Sequence, residues 1–419
     1  MSRIYLKSYQ WVLRAVVELL DLFPPRRIEK DEFAMRKGIL PEDYTPPETG
    51  TIWVHGASLG EFITLKPFLQ QLAAIYGKES LVCTATTMDG LRHLRKEELC
   101  GLATLLPIEL PAFTVPFIEK IRPRVMLISE TEIWPLLLDT LSRKNVPYGI
   151  INGRINEKSV RLMRIMWPVF SSAVENFAFV FPQEKHYQRR FKILGVDSAK
   201  INTLGCFKYD FIRPDVDQNY FRQRFGIPAR RRVICFGSTH PGEEEIILDA
   251  LEPLWPELNA AVVIAPRHVK RTNEVIDLLK SRKLDFSLAS TPQATAGHVI
   301  LVDTLGELRS FYAVSDLAFV GGSLIKRGGH NLMEPAACAV PILTGPETFN
   351  FRYEMMALNR ERAVITVTDA DSLQKTLRDW LNQPEDFADM GQRARKVLDC
   401  MAGASGRTIE KLQQLNLLP

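Results

Sequence analysis

Short runs of apolar, often β-branched residues alternate along the chain with longer segments whose apolar positions recur at helical spacing. In the first half these runs predict strands at residues 51–54, 81–85, 125–129, 148–151, 177–181 and 201–204. In the second half they predict strands at residues 232–236, 260–265, 299–303, 317–322, 341–345 and 363–367. Runs that are apolar throughout are typical of strands covered on both faces, as in a parallel sheet with helical crossovers. The pattern therefore predicts an α/β protein with two doubly wound, Rossmann-like halves.

The alternation is interrupted between residues 211 and 228, which we interpret as a linker. The remaining predicted segments are an N-terminal segment at 1–37, a first domain at 38–210 and a second domain at 229–419. A turn at residues 403–406 precedes a last predicted helix at residues 407–417, which could cross back to the first half.

The first predicted helix, Ile4 to Phe23, is the most apolar long segment of the chain. Its charged residues argue against a membrane-spanning helix, which needs about 20 mostly apolar residues. At about 100° per residue, the charges fall within a wedge of roughly 60° and leave a wide apolar face. These charged residues are Arg3, Lys7, Arg14, Glu18 and Asp21. The segment fits a helix that lies in a bilayer surface, and it also fits a helix packed on the rest of the protein.

Two prolines, Pro24 and Pro25, are expected to end this helix. Basic residues follow, and they would favour an anionic lipid surface. They are Arg26, Arg27, Lys30, Arg36 and Lys37, mixed with acidic residues.

Composition narrows the class of protein. Of 419 residues, 46% are hydrophobic and 24% charged, as in ordinary globular proteins. With 53 basic and 49 acidic residues the formal net charge is only +4, which argues against nucleic acid as a partner. The six cysteines are scattered without a CxxC pair, and no cleavable signal peptide is recognisable, so we expect reduced thiols in the cytoplasm. The seven histidines form no HExxH or similar ligand pair, so we expect no metal site.

Ligands of doubly wound sheets bind at the carboxyl ends of the strands, so the polar residues there are the candidates for chemistry. In the first half, Glu61 follows the first strand and begins a helix, where it is either a first-turn charge or a general base. Glu130 and Glu132 follow the middle strand, either as a solvated loop or as groups that stabilise positive charge. Lys208 follows the last strand and could meet a phosphate or a carboxylate.

In the second half, small and hydroxyl residues around Ser238 open a helix and could bind an anion through backbone N–H groups. Arg267 follows the next strand. A glycine-rich segment, residues 319–336, contains Gly322 and Ser323 and ends with His330, Asn331 and Glu334 at a helix start. Glycine lets a phosphate approach the backbone closely, and Glu334 could accept hydrogen bonds from ribose hydroxyls. The alternative is a purely structural glycine loop.

Taken in order, these motifs resemble those of the Kdo transferases, which transfer 3-deoxy-D-manno-oct-2-ulosonic acid (Kdo) from CMP-Kdo to lipid A precursors. The matching motifs are GASLGE, TATTMDG, ETEIWP, GCFKYD, STHPGEE, PRH, DTLGEL and GGSLIKRGGHNLMEPA, spread over about residues 51–350. The resemblance implies two facing Rossmann-like domains of the GT-B type, inverting chemistry, no cofactor and no required metal. Leu59 and Cys206 depart from residues usual in the family, but neither side chain is expected to do chemistry.

Carried over by motif, Glu61 resembles the general base of the family, and Glu130 and Lys208 resemble residues that stabilise the transition state. The segments that resemble the CMP-binding residues are Pro266 and Arg267, then Leu305, Gly306 and Glu307, then Asn331, Leu332, Met333 and Glu334. Ser238, Gly322, Ser323 and His330 complete the predicted substrate-binding set. The resemblance implies a CMP-Kdo donor, a lipid A precursor (lipid IVA) as acceptor in lipopolysaccharide core biosynthesis, and a peripheral or monotopic place on the cytoplasmic side of the bacterial inner membrane.

Two other functions remain open at this point. One is a different GT-B enzyme, either a nucleotide-sugar 2-epimerase or a transferase that uses a UDP-sugar. The other is a non-catalytic adaptor at a membrane surface that retains a nucleotide site.

Overall fold

The computed structural model describes residues 2–22, 30–210, 216–292 and 299–418. These residues form two compact units. The first comprises Met1–Phe211 together with Ala402–Pro419, and the second comprises Ile212–Met401.

The first unit is built on a parallel six-stranded sheet with the order β3-β2-β1-β4-β5-β6. Its strands are β1 (Thr51–Gly56), β2 (Leu81–Ala85), β3 (Leu102–Leu105), β4 (Pro123–Ser129), β5 (Tyr148–Gly153) and β6 (Phe179–Pro182). The strand predicted at residues 201–204 is wrong, since Ile201 forms only an isolated bridge to Val180. Strand β3 was not anticipated from the sequence.

Helices cover both faces of this sheet and enclose two apolar clusters. They are α1 (Ser2–Leu22), α2 (Lys30–Arg36), α3 (Leu59–Tyr76), α4 (Met88–Glu97), α5 (Pro111–Ile121), α6 (Pro135–Arg143), α7 (Glu157–Ile165), α8 (Trp167–Glu175) and α9 (Lys185–Ile193). The predicted end of α1 at Pro24 and Pro25, and the basic Arg26 and Arg27, lie outside the described residues.

The second unit contains a parallel seven-stranded sheet with the order β13-β12-β11-β7-β8-β10-β9. Its strands are β7 (Arg232–Thr239), β8 (Ala260–Pro266), β9 (Phe286–Leu288), β10 (Val299–Leu301), β11 (Leu317–Val320), β12 (Ile342–Thr344) and β13 (Ile365–Thr366). The surrounding helices are α10 (Gln218–Arg224), α11 (Glu243–Leu251), α12 (Thr272–Ser281), α13 (Leu308–Ala313), α14 (Met333–Ala337), α15 (Arg352–Arg360), α16 (Ala370–Asn382) and α17 (Pro384–Met401).

The interval 211–228 is more than the linker that the sequence suggested. It contains α10, whose buried Phe221 and Phe225 contact Phe311 edge-on and at a tilt, with 4.9 Å and 4.8 Å between ring centroids. Because these aromatic rings belong to an apolar cluster of the second unit, the described part of this interval is part of that unit's core.

A last helix, α18 (Ala404–Gln414), lies in the first unit and packs against α3. Its Ile409 and Leu412 are buried in one of the two apolar clusters beside the first sheet. Asp210 accepts hydrogen bonds from the backbone N–H groups that begin the helix, including that of Ser405 at 2.7 Å. The chain thus returns after the second unit to complete the core of the first.

Helix α1 uses two of its faces differently. Leu6 and Val17 are buried against Leu110 and Leu136, in contacts with α6 and α8. The Tyr9 hydroxyl donates a hydrogen bond to the buried carboxylate of Glu109 at 2.6 Å. Part of the expected apolar face is therefore packed on the protein.

The remaining apolar face of α1 is exposed. Its large side chains are Ile4, Tyr5, Trp11, Val12, Val16 and Leu19, of which Trp11 is 69% exposed. Among the described residues, no helix is long and apolar enough to cross a membrane.

Candidate functional site

The first unit gathers its candidate residues at the carboxyl end of β1. This strand pairs with β2 on one side and β4 on the other, so the chain leaves it at a switch point of the sheet. Glu61 lies in the first turn of α3, directly after this strand. Its carboxylate accepts hydrogen bonds from Ala57 N at 3.1 Å and from the Ser58 hydroxyl at 3.4 Å. Glu61 is thus held in place at the edge where ligands of such sheets bind.

Glu130 and Glu132 approach the same place from the end of β4. Glu130 has a left-handed backbone with φ of 54°, a conformation that costs a non-glycine residue energy and is common at functional sites. Its backbone N–H donates to Ile151 O at 3.1 Å, which ties this turn to β5. Glu132 is 30% exposed, and its Oε2 lies 4.0 Å from Nε2 of the buried His55.

The three carboxyl groups influence one another electrostatically. Burial raises the pKa of Glu61, and the hydrogen bonds from Ala57, Ser58 and Ser129 oppose that rise. Burial also raises the pKa of Glu130 and Glu132, and the charge of Glu61 raises both further. Arg154 partly offsets the rise at Glu130. The structure therefore brings together two predicted residues, Glu61 and Glu130, in a cluster that resists carrying three negative charges.

Lys208 reaches the same neighbourhood from a 3-10 turn, Phe207–Tyr209. The backbone N–H of Phe207 donates to the buried side chain of Asn152 at 3.2 Å, and the Phe207 ring stacks on Phe68 at 5.0 Å. Burial raises the pKa of the Cys206 thiol to about 11; Lys208 lowers it in part, and Glu130 raises it. Both side chains therefore lie close to Cys206, and the Lys208 ammonium lies 4.8 Å from the Tyr209 ring centre.

In the second unit, a buried carboxylate organises the predicted glycine-rich loop. Glu243, the first residue of α11, accepts hydrogen bonds from the backbone N–H groups of Gly322, Ser323 and Leu324 at 2.7, 2.9 and 2.9 Å. It also accepts from His240 N at 3.0 Å. The loop amides that we expected to face an anion are thus bonded to a side chain of the protein itself.

The Ser323 side chain is also committed within the fold, because its hydroxyl donates to Val320 O at 2.6 Å. Ser238 is nearly buried at the end of β7 and has a left-handed backbone with φ of 58°. A Cβ on Gly322 would lie 2.9 Å from the His330 ring, which explains the glycine there. Ser238, Gly322 and Ser323 therefore have structural roles in and beside the glycine-rich loop.

Two histidines stack beside that loop. The rings of His240 and His330 are parallel within 3°, and their Nε2 atoms are 2.9 Å apart. Burial and the nearby Arg267 lower the pKa of His330 to about 4, and burial also lowers the pKa of His240. Arg267 is exposed at the end of β8, next to the buried Pro266. Arg267 thus lies close enough to His330 to lower its pKa, and their shared role in binding an anion stays a prediction.

The start of α14 supplies Glu334 to this group. Glu334 lies 3.5 Å from the Asn331 amide and 3.7 Å from Arg309 Nε, and burial raises its pKa despite these partners. The side chains of Leu332 and Met333 are buried in the core. Any contact of these two residues with a ligand would use their backbone.

The segment 305–307 forms an exposed turn before α13. Leu305 is 84% exposed, and Gly306 has φ of 88° with open space around it. The Glu307 carboxylate pairs with Arg224 at 2.6 Å and also accepts from the Thr304 hydroxyl. Among the described residues, no group of three or more His, Cys, Asp or Glu side chains is arranged to hold a metal ion.

Sequence reasoning missed three residues that organise these two regions: Glu243, His240 and His55. Glu243 stands in a run of three glutamates, two of which are buried, and the sequence gives no sign of which they are. His55 and His240 both follow strand cores, so their position after a strand was the available signal.

Comparison with known proteins identifies the family. The family model for 3-deoxy-D-manno-octulosonic-acid transferase matches residues 31–211, and the model for group 1 glycosyl transferases matches residues 293–397. A 3-deoxy-D-manno-octulosonic acid transferase of Haemophilus influenzae is 32% identical over 96% of this chain and 95% of its own length. This chain belongs to the 3-deoxy-D-manno-octulosonic acid transferase family. The resemblance in the motif series is therefore confirmed.

Other comparisons agree with this family. A 3-deoxy-D-manno-octulosonic acid transferase of Bordetella pertussis is 29% identical over 88% of each chain. The crystal structure of a UDP-GlcNAc 2-epimerase from Neisseria meningitidis covers 87% of this Kdo transferase family member and 100% of its own chain, with a TM-score of 0.60 and 15% identity. At that identity the likeness concerns the fold alone. It confirms the predicted fold class, two α/β domains of the GT-B type that each contain a parallel sheet.

Proposed function

We propose that this protein transfers Kdo from CMP-Kdo to a lipid A precursor, lipid IVA, in lipopolysaccharide core biosynthesis. Membership of the Kdo transferase family supports the transferred sugar. The observation that carries the catalytic assignment is the placement of Glu61, whose carboxylate is fixed by Ala57 N at a strand-to-helix turn. A carboxylate held this way is suited to act as a general base.

In the proposed mechanism, Glu61 accepts the proton of an acceptor hydroxyl as that oxygen attacks C2 of Kdo. CMP leaves from the opposite face, so the configuration inverts. Glu130 and Lys208 stabilise charge in the transition state, and Arg267 with His330 and Glu334 binds the cytidylate. Positive side chains, rather than a divalent ion, meet the charge of the departing phosphate. A monophosphate leaving group needs less neutralisation than a diphosphate.

We further propose that the protein binds peripherally to the cytoplasmic side of the inner membrane through α1. The support is the exposed apolar face of this helix, opposite the stripe that packs on the protein. A helix with one face in the headgroup region would present the enzyme to a lipid-borne acceptor.

The decisive experiment is mass spectrometry of lipid products after the purified protein is incubated with CMP-Kdo and a tetra-acylated disaccharide phosphate. We expect Kdo-containing lipid. We also expect CMP-Kdo, but not a UDP-sugar, to raise the melting temperature. Protection by UDP-sugars alone would indicate a different GT-B enzyme. Membrane binding without any product would indicate an adaptor.

Substitution of Glu61 tests its role. Glu61→Gln is expected to lower kcat on the order of 10²–10⁴-fold, because a neutral amide cannot accept the proton. CMP binding, measured by thermal shift, is expected to persist. Since burial raises the pKa of Glu61, the rate is expected to fall on acidification at a higher pH than for an ordinary carboxylate. Near-normal turnover in the variant would contradict the assignment.

A further inference from the structure

His55 has a defined tautomer in the interior of the first unit. His55 lies on β1, its ring is fully buried, and Nδ1 lies 2.9 Å from Thr84 O. A carbonyl oxygen can only accept a hydrogen bond, so Nδ1 must carry a proton and donate it. Burial lowers the pKa of His55 to about 4, so the ring is neutral at ordinary pH. The other ring nitrogen, Nε2, therefore presents a lone pair.

Nε2 lies near one carboxyl group of the cluster, that of Glu132. Within the described part of the chain, His55 Nε2 has no hydrogen-bond donor, and its nearest ionisable neighbour is Glu132 Oε2 at 4.0 Å. This separation exceeds a hydrogen bond by about 1 Å, which a small rotation of the Glu132 side chain can remove. An ionised Glu132 would face the lone pair unfavourably, whereas a protonated carboxyl group would donate to it.

The charge of Glu61 raises the pKa of Glu132 beyond the effect of burial, and hydrogen bonds from Thr86 and Trp134 oppose that rise. Glu61, from α3, has donors of its own in Ala57 N and Ser58. Glu130 has Arg154 as a cationic neighbour. Of the three carboxyl groups, Glu132 is the one that borders an unsatisfied acceptor. A proton on Glu132 would therefore also supply the donor that His55 Nε2 lacks.

We propose that Glu132 and His55 hold one proton between them at neutral pH, so that Glu132 is a positioning residue that leaves Glu61 as the ionised carboxylate. The proton is bound to Glu132 Oε2 and is directed at Nε2, and the pair as a whole is neutral. The role of Glu132 in the reaction rests on the proposed function, whereas the shared proton itself does not.

The shared proton can be observed without any substrate. Infrared spectra of the whole protein at neutral pH are expected to contain a protonated-carboxyl band that Glu132→Gln removes. Nitrogen NMR of labelled histidine is expected to show His55 protonated at Nδ1 and accepting a hydrogen bond at Nε2. If the infrared band is the same in both proteins, or if Nε2 carries the proton and Nδ1 does not, the proposal is overturned.

The pH profile of kcat/KM tests the consequence for Glu61. Glutamine mimics a neutral carboxyl group, so Glu132→Gln is expected to leave the acidic limb where it lies in the unsubstituted enzyme, whatever the maximal rate. A limb that moves to lower pH would show that Glu132 is normally ionised beside Glu61, and would refute the proposal. An unmoved limb is also what a merely structural role would give, so the infrared band and the His55→Gln shift distinguish the two roles.

A double substitution supplies the rescue. His55→Gln offers an amide donor to Glu132 in place of a lone pair, so Glu132 should ionise. The acidic limb should then move to higher pH, on the order of one unit. Adding Glu132→Gln to His55→Gln should return the acidic limb to the pH of the unsubstituted enzyme. A limb that stays shifted in the double variant would contradict the proposal. If His55→Gln does not fold, the single Glu132 variant still decides. A protein with the infrared band but no Kdo transfer would refute only the proposed function.

Discussion

At the scale of the residue, Glu243 illustrates how a charge is kept inside a protein. Its side chain is fully buried, yet it accepts four backbone hydrogen bonds of 2.7–3.0 Å from two separate segments. Burial raises its pKa, and these four bonds oppose the rise. The carboxylate thereby fastens the loop after β11 to the start of α11, and it holds the stacked His240 and His330 in register.

Glu243→Gln is expected to lower the free energy of unfolding by about 2–3 kcal/mol, because the amide nitrogen would face backbone donors. Urea unfolding measures this loss, and hydrogen exchange should locate it in residues 321–324. Glu245→Gln is the matched control. That exposed side chain accepts from Gly242 N at 3.1 Å, and we expect a loss below about 1 kcal/mol. Equal losses in both variants would argue against the loop-fastening role.

Single residues were predictable where a motif and a strand end coincide. Glu61 and Glu130 could be named because a parallel sheet places the ends of β1 and β4 at one edge. Glu243 could not, since its partners lie some 80 residues away in the chain. Gly322 and Ser323 were predicted to bind substrate because of their glycine-rich loop, but sequence alone does not show that their amides are bonded to Glu243.

At the scale of the element, α1 is a helix with two apolar faces. The stripe through Leu6 and Val17 packs on the protein, and the stripe through Val12 and Leu19 is exposed. The sequence showed one wide apolar face and left packing and membrane binding as alternatives. Packing depends on shape complementarity with α6 and α8, which periodicity does not contain.

Tyr9→Phe tests the attachment of α1. It removes the hydrogen bond to Glu109, whose carboxylate also accepts from Leu136 N at 2.7 Å. We expect local opening of α1 to become easier by about 1–3 kcal/mol, as measured by amide hydrogen exchange. The pKa of Glu109, already raised by burial, should rise further without this donor. Tyr5→Phe, at an exposed position, should leave exchange unchanged, and a similar effect there would weigh against this interpretation.

The exposed stripe gives a separate prediction. The double variant Val12→Glu with Leu19→Glu should weaken binding to anionic lipid vesicles about tenfold or more. Charged side chains would then replace apolar surface that the membrane would otherwise bury. Vesicle co-sedimentation measures this change. Ile193→Glu, at an exposed apolar position on α9, is the control and should bind normally. Undiminished binding of the α1 variant would contradict membrane attachment through this face.

Strands were the most predictable elements, since continuous apolar runs located eleven of the thirteen described strands. Strand β3 was missed because Leu102–Leu105 is short and carries a threonine, and β9 because Phe286–Leu288 has a central serine. At residues 201–204 the error is the reverse, because a strand was predicted there and the structure has none. They have the composition of a strand, and Asn202 N and Leu204 N donate to β6, but only Ile201 forms a bridge with it.

At the scale of the whole molecule, the chain leaves the first unit after Phe211 and returns to it at Ala402. The returning helix α18 places Ile409 and Leu412 in the core beside α3, and Gln413 donates to the Tyr76 hydroxyl at 2.7 Å. The first unit is therefore complete only when residues separated by nearly the whole second unit have met.

Leu412→Ala should consequently destabilise the first unit by about 2–5 kcal/mol, as a buried leucine truncation does. Leu415→Ala, at a position 40% exposed, should change stability by about 0.5 kcal/mol or less. Denaturant unfolding compares the two. Hydrogen exchange in the second unit should be unaffected by either variant, and a loss confined to that unit would contradict the division described above.

The two-faced helix α1 has a practical consequence for anyone trimming this enzyme to improve its behaviour in solution. Deleting α1 would remove its exposed apolar stripe. It would also expose Leu110 and Leu136 and remove the Tyr9 hydroxyl that donates to the Glu109 carboxylate. Deletion would therefore replace one exposed apolar surface with another. Polar substitutions confined to the exposed stripe would reduce the apolar surface and keep the packed side of the helix intact.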